Sequence, residues 1–525
     1  MANNYSFSVM PTVSISRSRF ERKNQHKTSF NIGDIVPIYV DEVLPGDTRS
    51  MDMAALVRMS TPIAPIMDNI YLDFFAFFVP NRLVWKHWKE FMGENNESAG
   101  IPSSEYSIPQ VNILVSTNKP NLIDYFGLPF IEENDVLVSA LPFRGYALIF
   151  NRWFRNQNLV APLAVNTDDT DGVIVGSDYA EDLDVQKASK LPDYFTSALP
   201  YAQKGSAVSI PLGTTAPILV KNETTGAYIS AGNTLELRNV SAVNPTSKIN
   251  VMSSGLTSWT GSLIADLSNA TAATINQLRY AFQLQKLLEK DALYGSRYWE
   301  ILAAHFGITS PDASLQDPEY LGGKRMPINI DQVLSTAGYD ASSSTEVGQP
   351  GANSVSGFKG SLFTKSFTEH GYLFIMAVAR HDQTYGQGIN RMWSRKSIYD
   401  FYFPVFANLG AQDIKLKEIF ATGASADDDI FGYQEAWAEY RFKPSIVSGL
   451  LKPSSSNGLA FWTLANNFEE APTLSQSFIE QDRNAISRAL VSGENGPDFI
   501  ADFYFRDVAV RPMPVYSIPG LIDHH

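Results

Sequence analysis

Residues 70–93 read IYLDFFAFFVPNRLVWKHWKEFMG. The first ten positions decide the fold, because they are apolar on both sides of an extended chain. Ile70, Leu72, Phe74, Ala76 and Phe78 fall on one side, and Tyr71, Phe75, Phe77 and Val79 on the other, with only Asp73 interrupting. Side chains alternate across a strand, so this strand needs cover on both faces. It is expected inside a large β assembly or beneath another subunit. Pro80 ends the ladder, and Asn81 is placed to cap a helix. In that helix Val84, Trp85, Trp88, Phe91 and Met92 form one stripe, and Gly93 closes the end.

The same texture recurs outward from this stretch. Gly371–Arg380 (GYLFIMAVAR) is a second strand apolar on both faces. Val36, Ile38 and Val40 alternate before the turn Pro45-Gly46-Asp47. Met51, Met53, Ala55, Val57 and Met59 alternate against Asp52 and Arg58. Tyr399–Phe406, Gln434–Phe442 and Phe499–Val510 are further strand candidates. Leu141–Leu159 reads as an amphipathic helix, and Ile275–Leu288 and Tyr298–Phe306 as two more. About eight strand-like runs are thus spread over the whole chain. Long connections separate them, so strands distant in sequence must pair, as in a Greek-key or jelly-roll sandwich. The pattern is not regular βα, which disfavours a doubly wound sheet.

Two segments differ. Residues 205–274 are dense in Ser, Thr, Ala, Gly and Asn and carry few charges, which reads as an inserted surface subdomain of short strands. Residues 338–357 (GYDASSSTEVGQPGANSVSG) read as a flexible loop.

The chain has 525 residues, 44% of them hydrophobic, which excludes general disorder. It contains no cysteine, so disulfides, thiolate catalysis and Cys-based metal sites are excluded. The start lacks the pattern of a signal peptide, and no stretch is long enough for a membrane span, so synthesis and folding in the cytoplasm are expected. The formal charge is −14 but unevenly placed. Residues 1–30 hold Arg17, Arg19, Arg22, Lys23 and Lys27 against Glu21, a net of +4, which leaves −18 on the rest. A basic arm therefore leads an acidic body. Its cations, interleaved with Phe20 and His26, suit phosphates and unpaired bases, and equally suit a solubilising terminus or an arm lying on an acidic neighbour.

The catalytic search is mostly negative. No nucleophile elbow, phosphate loop or zincin motif occurs. His370, Arg380, His381 and Asp382 are the densest polar set, readable as a general base or as hydrogen-bonding residues at a strand end. Asp168, Asp169, Asp171 and Asp178 fail the EF-hand pattern and read as a solvated acidic loop, as do Asp427–Asp429. His524 and His525 read as a mobile tail. No metal or cofactor is expected.

Several blocks together resemble one family. They are SRSRFERKNQHKTSFNIGDIVPIYVDEVLPGDT, MDMAALVRMSTPIAPIMDNIYLDFFAFFVPNRLVWKHW, LPFRGYALIFNRWFRNQNL, RHDQTYGQGINRMWSRKSIYDFYFP and DFYFRDVAVRPMPVYSIPG. The chain resembles the major capsid proteins of the Microviridae, small icosahedral phages with single-stranded DNA, and is most similar to the gokushovirus branch. The resemblance implies a mainly β, eight-stranded antiparallel jelly roll with long helix- and loop-containing insertions. Roughly 60 copies would close one shell. It also implies a structural role without enzymatic activity, genomic single-stranded DNA as cargo, and a small basic DNA-binding protein inside. A threefold protrusion that meets a host receptor is implied too, with residues 205–274 as its candidate. On this reading residues 1–30 are an interior arm contacting DNA, and 31–525 are the capsid domain. Trp85, Trp88, Arg391 and Trp393 are candidate subunit anchors, with burial inside the subunit the alternative for the Trp residues. The competing readings are a secreted glycan-binding β-sandwich and a two-carboxylate hydrolase.

Overall fold

A computed structural model describes residues 16–94, 106–114, 120–176, 184–206, 208, 218–222, 235–236, 252–253, 261–265, 275–336, 347–348, 350–455 and 458–516. The chain divides into two compact units, Met1–Ala202 with Tyr294–His525, and Gln203–Leu293.

Eight strands of eight or more residues organise the larger unit. They are β1 (Ser18–Phe30), β2 (Val36–Val43), β3 (Thr48–Met59), β4 (Ile70–Pro80), β5 (Glu319–Pro327), β6 (Ser356–Ser366), β7 (Gly371–His381) and β8 (Phe499–Arg511). One antiparallel sheet has the order β1-β8-β3-β6, and the other β5-β4-β7-β2. The two ends of the chain meet in the first sheet, where Ser18 pairs with Arg511 and Phe30 with Phe499. In the second sheet Ile70 pairs with His381 and Pro80 with Gly371, so the two doubly apolar strands are central neighbours. The architecture is mainly β, with antiparallel sheets and few helices.

Alternation explains the core. Met51, Met53, Ala55, Val57 and Met59 of β3 and Phe499, Ala501, Phe503 and Phe505 of β8 are buried in one cluster with Ile70, Leu72, Phe74, Ala76 and Phe78 of β4. Rings meet between the sheets, Phe74 against Phe503 at 6.0 Å and Tyr39 against Phe505 at 5.0 Å. The other side of β4 and β7 lies in a second cluster. There Phe77, Val79, Phe374, Met376 and Val378 pack with Trp85, Phe143, Tyr146 and Phe150. Each fully buried Phe contributes about 2 kcal/mol by removal of apolar surface from water. The cover for both faces therefore comes from this chain, and these strands need no neighbouring subunit.

Helix α1 (Leu141–Ile149) lies on β7. A Cβ at Gly145 would stand 2.9 Å from the Phe374 ring, so glycine lets helix and sheet approach. The helix passes into a π-turn at Phe150–Phe154 and stops at extended Arg155, short of Leu159. The helix expected after Pro80 is interrupted. Asn81–Val84 and Trp88–Phe91 form single turns, and Trp85 between them is extended. The Trp85 indole donates to Asp169 at 2.8 Å, and the Lys86 amide to the Thr167 carbonyl at 2.9 Å, which draws the chain out of helical geometry. Asn81 makes no side-chain cap.

Three further expectations change. Tyr399–Phe406 contains 3-10 turns at Ile398–Asp400 and Pro404–Phe406 instead of a strand, because Asp400 binds the amides of Lys396 and Ser397 and Pro404 has no amide to donate. Gln434–Phe442 is broken by left-handed Trp437. Within 338–357, Pro350–Asn353 pairs with Asp331–Leu334, and β6 begins at Ser356. In the smaller unit, Ile218–Asn222 pairs with Gly261–Ala265, Leu235–Glu236 pairs with Met252–Ser253, and α2 (Ile275–Leu293) follows.

Asp73, the one break in the β4 run, is buried and answered from both neighbouring strands. Arg325 on β5 reaches it at 2.6 and 2.9 Å, and Arg380 on β7 at 2.5 Å. Burial alone would raise its pKa, but these two guanidinium groups outweigh it and hold Asp73 below the usual carboxylate range.

Asp73→Asn should lower stability by about 2–3 kcal/mol in urea melts, since it removes the negative charge shared by two guanidinium groups that keep partial solvent access. Gly145→Val should cost a further, independent amount, about 1–3 kcal/mol, by forcing α1 off Phe374. An unchanged midpoint for either variant would contradict these packing accounts.

Candidate nucleic-acid interface

Over residues 18–30 the basic segment is a paired strand and not an extended arm. Residues 18–30 form the edge strand β1, and residues 1–15 lie outside the described residues. Residues opposite one another in an antiparallel pair point to the same side. In β8 the buried set is Phe499, Ala501, Phe503, Phe505, Asp507 and Ala509, so their partners in β1 are Phe30, Thr28, His26, Asn24, Arg22 and Phe20. Arg19, Glu21, Lys23, Gln25, Lys27 and Ser29 then take the outer face.

That face is built in rows. Lys23, Arg506, Asp52 and Ser361 form one row, and Gln25, Tyr504, Ala54 and Lys359 the next. Arg58 stands opposite Ile500. The outward positions carry the cations Arg19, Lys23, Lys27, Arg58, Lys359 and Arg506 against the carboxylates Glu21, Asp52 and Asp502. Arg506 holds Glu21 at 2.6 Å and Asp52 at 3.2 Å. Arg19, Lys27, Arg58 and Lys359 form no ion pair among the described residues, although Asp502 stands opposite Lys27, in a chain whose net charge is −14. A shallow trough lined by Lys27, Leu56, Arg58, Pro497 and Ile500 gives the face apolar ground between its cations. Arg58 and Lys359 were not legible as members of this set. Their distance from β1 in sequence hides a proximity that only strand order creates.

Arg22 has a different task. Its guanidinium lies against Asp41 and Asp507. Fully buried Arg49 also contacts Asp507, and meets Asp41 at 2.5 Å and the Glu42 carbonyl at 2.6 Å. Arg511 binds Asp47 at 3.0 Å, and the Tyr39 hydroxyl donates to Asp507 at 3.1 Å. This knot joins β1, β3 and β8 of one sheet to β2 of the other, so Arg22 is committed to the fold. Arg17 is exposed near the turn at Gly46.

The anchor candidates separate. Trp85 is wholly enclosed within its own chain, the alternative open for the Trp candidates: its ring fills the second core and its indole N–H is taken by Asp169. Trp88 is half-buried, 5.6 Å from His370. Arg391 is half-buried and donates to the Asp413 carbonyl at 2.7 Å. Trp393 is 74% exposed.

The acidic loop is a sleeve around a cation. Buried Arg144 donates to the carbonyls of Gly172 and Asp168, both at 3.0 Å, and of Thr170 at 2.5 Å. Burial pushes this guanidinium below its ordinary pKa. Asp169 accepts from Trp85 and His87, and Asp171 from the Gln110 amide, so the loop's oxygens are spent on the protein. Asp178 lies outside the described residues. No group of three His, Asp or Glu placed to hold a metal occurs among the described residues. The His370–Asp382 set does not converge. Arg380 serves Asp73, Asp382 accepts from Asn69 at 3.0 Å, and buried His381, its pKa lowered by burial, meets the Asp382 backbone carbonyl at 2.7 Å. His524 and His525 lie outside the described residues.

The described residues thus present a polar, cation-bearing sheet face on a mainly β chain. Comparison with known proteins gives the class. A family model described as "Capsid protein (F protein)" matches residues 8–521. The chain is 41% identical to capsid protein VP1 of Bdellovibrio phage phiMH2K, over 99% of this chain and 98% of that one. It is 38% identical to capsid protein VP1 of Chlamydia phage 1 and 35% identical to that of Spiroplasma virus 4, each over 98% of this chain and 97% of the other. The chain belongs to this family of phage capsid proteins, of the Microviridae type, and its role is structural.

The knot gives a pH dependence. Burial raises the Asp41 pKa, but Arg22 and Arg49 outweigh it, so the folded-state value lies below the ordinary 3.8. The stabilisation is fully present above 3.8 and is lost as pH falls through the lower folded-state value. Urea melts at descending pH should show the parent losing stability faster than Asp41→Asn below about pH 4. Parallel curves would contradict a depressed Asp41.

Proposed function

We propose that the eight strands form a jelly roll of the viral capsid type and that the outer face of the β1-β8-β3-β6 sheet lines a closed shell against single-stranded DNA. Strand order supports the first part. Successive strands alternate between the two sheets from β1 to β4 and again from β5 to β8, as nested Greek keys require. The second part is carried by one observation, the unpaired cations gathered on a single sheet face of an acidic chain. Phosphate backbones are neutralised by such lysines and arginines, and the bound counterions are released. Tyr504, Leu56 and Ile500 add surface on which unpaired bases can lie.

The same charge balance supports a cationic companion. Four unpaired cations per copy neutralise little DNA, so a small basic protein inside the shell fits the deficit. Roughly 60 copies would form the shell. Residues 205–274, which fall within the Gln203–Leu293 unit, are the surface insertion proposed to protrude and meet a host receptor. Assembly would take place in the host cytoplasm. No helix among the described residues is long and apolar enough to cross a membrane.

The triple variant Arg19→Glu, Lys23→Glu, Lys27→Glu should assemble but package poorly. Nuclease-protected DNA per particle is expected to fall at least tenfold, with empty shells sedimenting in its place. Protected DNA at the parental level would overturn the assignment of this face. Arg22→Glu should instead reduce soluble, folded protein, because it breaks the buried knot.

A further inference from the structure

Residues 389–409, INRMWSRKSIYDFYFPVFANL, form a strap with a run of exposed apolar side chains. Trp393 and Tyr399 are each 74% exposed and Val405 87%, and Ile398, Met392 and Leu409 are also exposed. Scattered exposed apolar residues are ordinary, but a contiguous run of this size marks a contact surface.

The strap is not loose. The Ile389 amide donates to the Lys417 carbonyl at 2.8 Å, and the Asn390 side chain accepts from the Met392 amide at 3.1 Å. Asp400 accepts from the amides of Lys396 and Ser397 at 2.8 and 2.7 Å. Arg391 is fastened to the Asp413 carbonyl, and Arg395 lies over the rings of Tyr440 and Phe401 at 4.5 and 5.2 Å. The buried Trp437 indole donates to the Phe406 carbonyl at 3.1 Å. The polar groups thus fix the backbone from beneath, Tyr402 and Phe406 pack against Trp437, and Trp393 and Tyr399 are left uncovered. Order of this kind reduces the entropy lost on association.

We propose that this strap is a contact between copies of the chain in the shell, with a second copy as its occupant. The inference rests on the capsid assignment and adds which surface meets the neighbour. The capsid assignment selects the occupant, since the neighbours of a shell protein are further copies of the same chain. Charge does not oppose this: Arg391 and Arg395 are paired with Glu418 and Glu439 of their own chain, and Lys396 and Asp400 balance each other, so the patch presents no net charge to an acidic copy. The makeup of the patch, Trp, Tyr, Phe, Met and Arg, is that of the buried centre of protein interfaces.

The test is the full-length double variant Trp393→Asp, Tyr399→Asp, compared with the parent by sedimentation and thermal melting. Both side chains are exposed, so the subunit should melt at the parental temperature while shell yield falls at least tenfold. Parental shell yield from the variant would overturn the strap and leave the capsid assignment standing. A parent that forms no shells under any assembly condition would defeat the capsid assignment itself. Should the variant melt early, a reconstruction of parent shells decides in its place: strap side chains against a neighbouring copy support the inference, and strap side chains facing solvent overturn it.

Discussion

The structure depends on covering two central strands from both sides. β4 and β7 are neighbours whose alternate side chains are apolar in each direction. One face is hidden by the β1-β8-β3-β6 sheet, and the other by the connection after β4, above all Trp85, Phe143, Tyr146 and Phe150. That need fixes much else. The long connection must fold back on the sheet, α1 must approach close enough to require Gly145, and the Asp168–Asp171 loop must close around Arg144 at its border. Apolar excess in the sheet is therefore no measure of subunit contact. The surfaces left for assembly lie elsewhere, on faces that the chain leaves open.

Charge is handled by the same rule of enclosure. Asp73 sits in the most apolar strand and is tolerated because Arg325 and Arg380 reach it from either side. Arg49 and Asp507 are fully buried at the junction of the two sheets and contact each other, with Arg22 and Tyr39 also reaching Asp507 and Asp41 reaching Arg49. A buried ion pair contributes little net stability against an apolar substitute, yet losing one partner is expensive. Such knots therefore specify register more than they add strength. Here the knot ties the first strand and the last to the second and third, so strands distant in sequence can close in only one alignment.

The sequence made the strands legible where one period dominates. β3, β4, β7 and β8 are visible as alternation, and their two-sided or one-sided burial follows from it. β1 was not legible as a strand, because its inward positions include Arg22, Asn24 and His26, and the pattern of an apolar face is lost. Its pairing partner lies at the far end of the chain, beyond any local signal. Trp85 shows the opposite limit. A helical stripe and an interface anchor both fit its spacing, and only the contact with Asp169 places it in the core. The strand expected at Tyr399–Phe406 failed because aromatic, β-prone residues there serve an exposed strap and not a ladder. The cations of the sheet face were half legible: Arg19, Lys23 and Lys27 from their clustering, Arg58 and Lys359 not at all.

The central claim is that each copy encloses its own apolar strands and turns its cation-bearing sheet face toward the genome. A cryo-electron microscopy reconstruction of genome-filled particles tests this most directly. The account predicts the outer face of β1, β8, β3 and β6 on the inner wall of the shell, with Arg19, Lys27, Arg58 and Lys359 toward the DNA and β4 and β7 contacted only by their own chain. That sheet face found on the outer surface, or a neighbouring copy packed against β4 and β7, would contradict it.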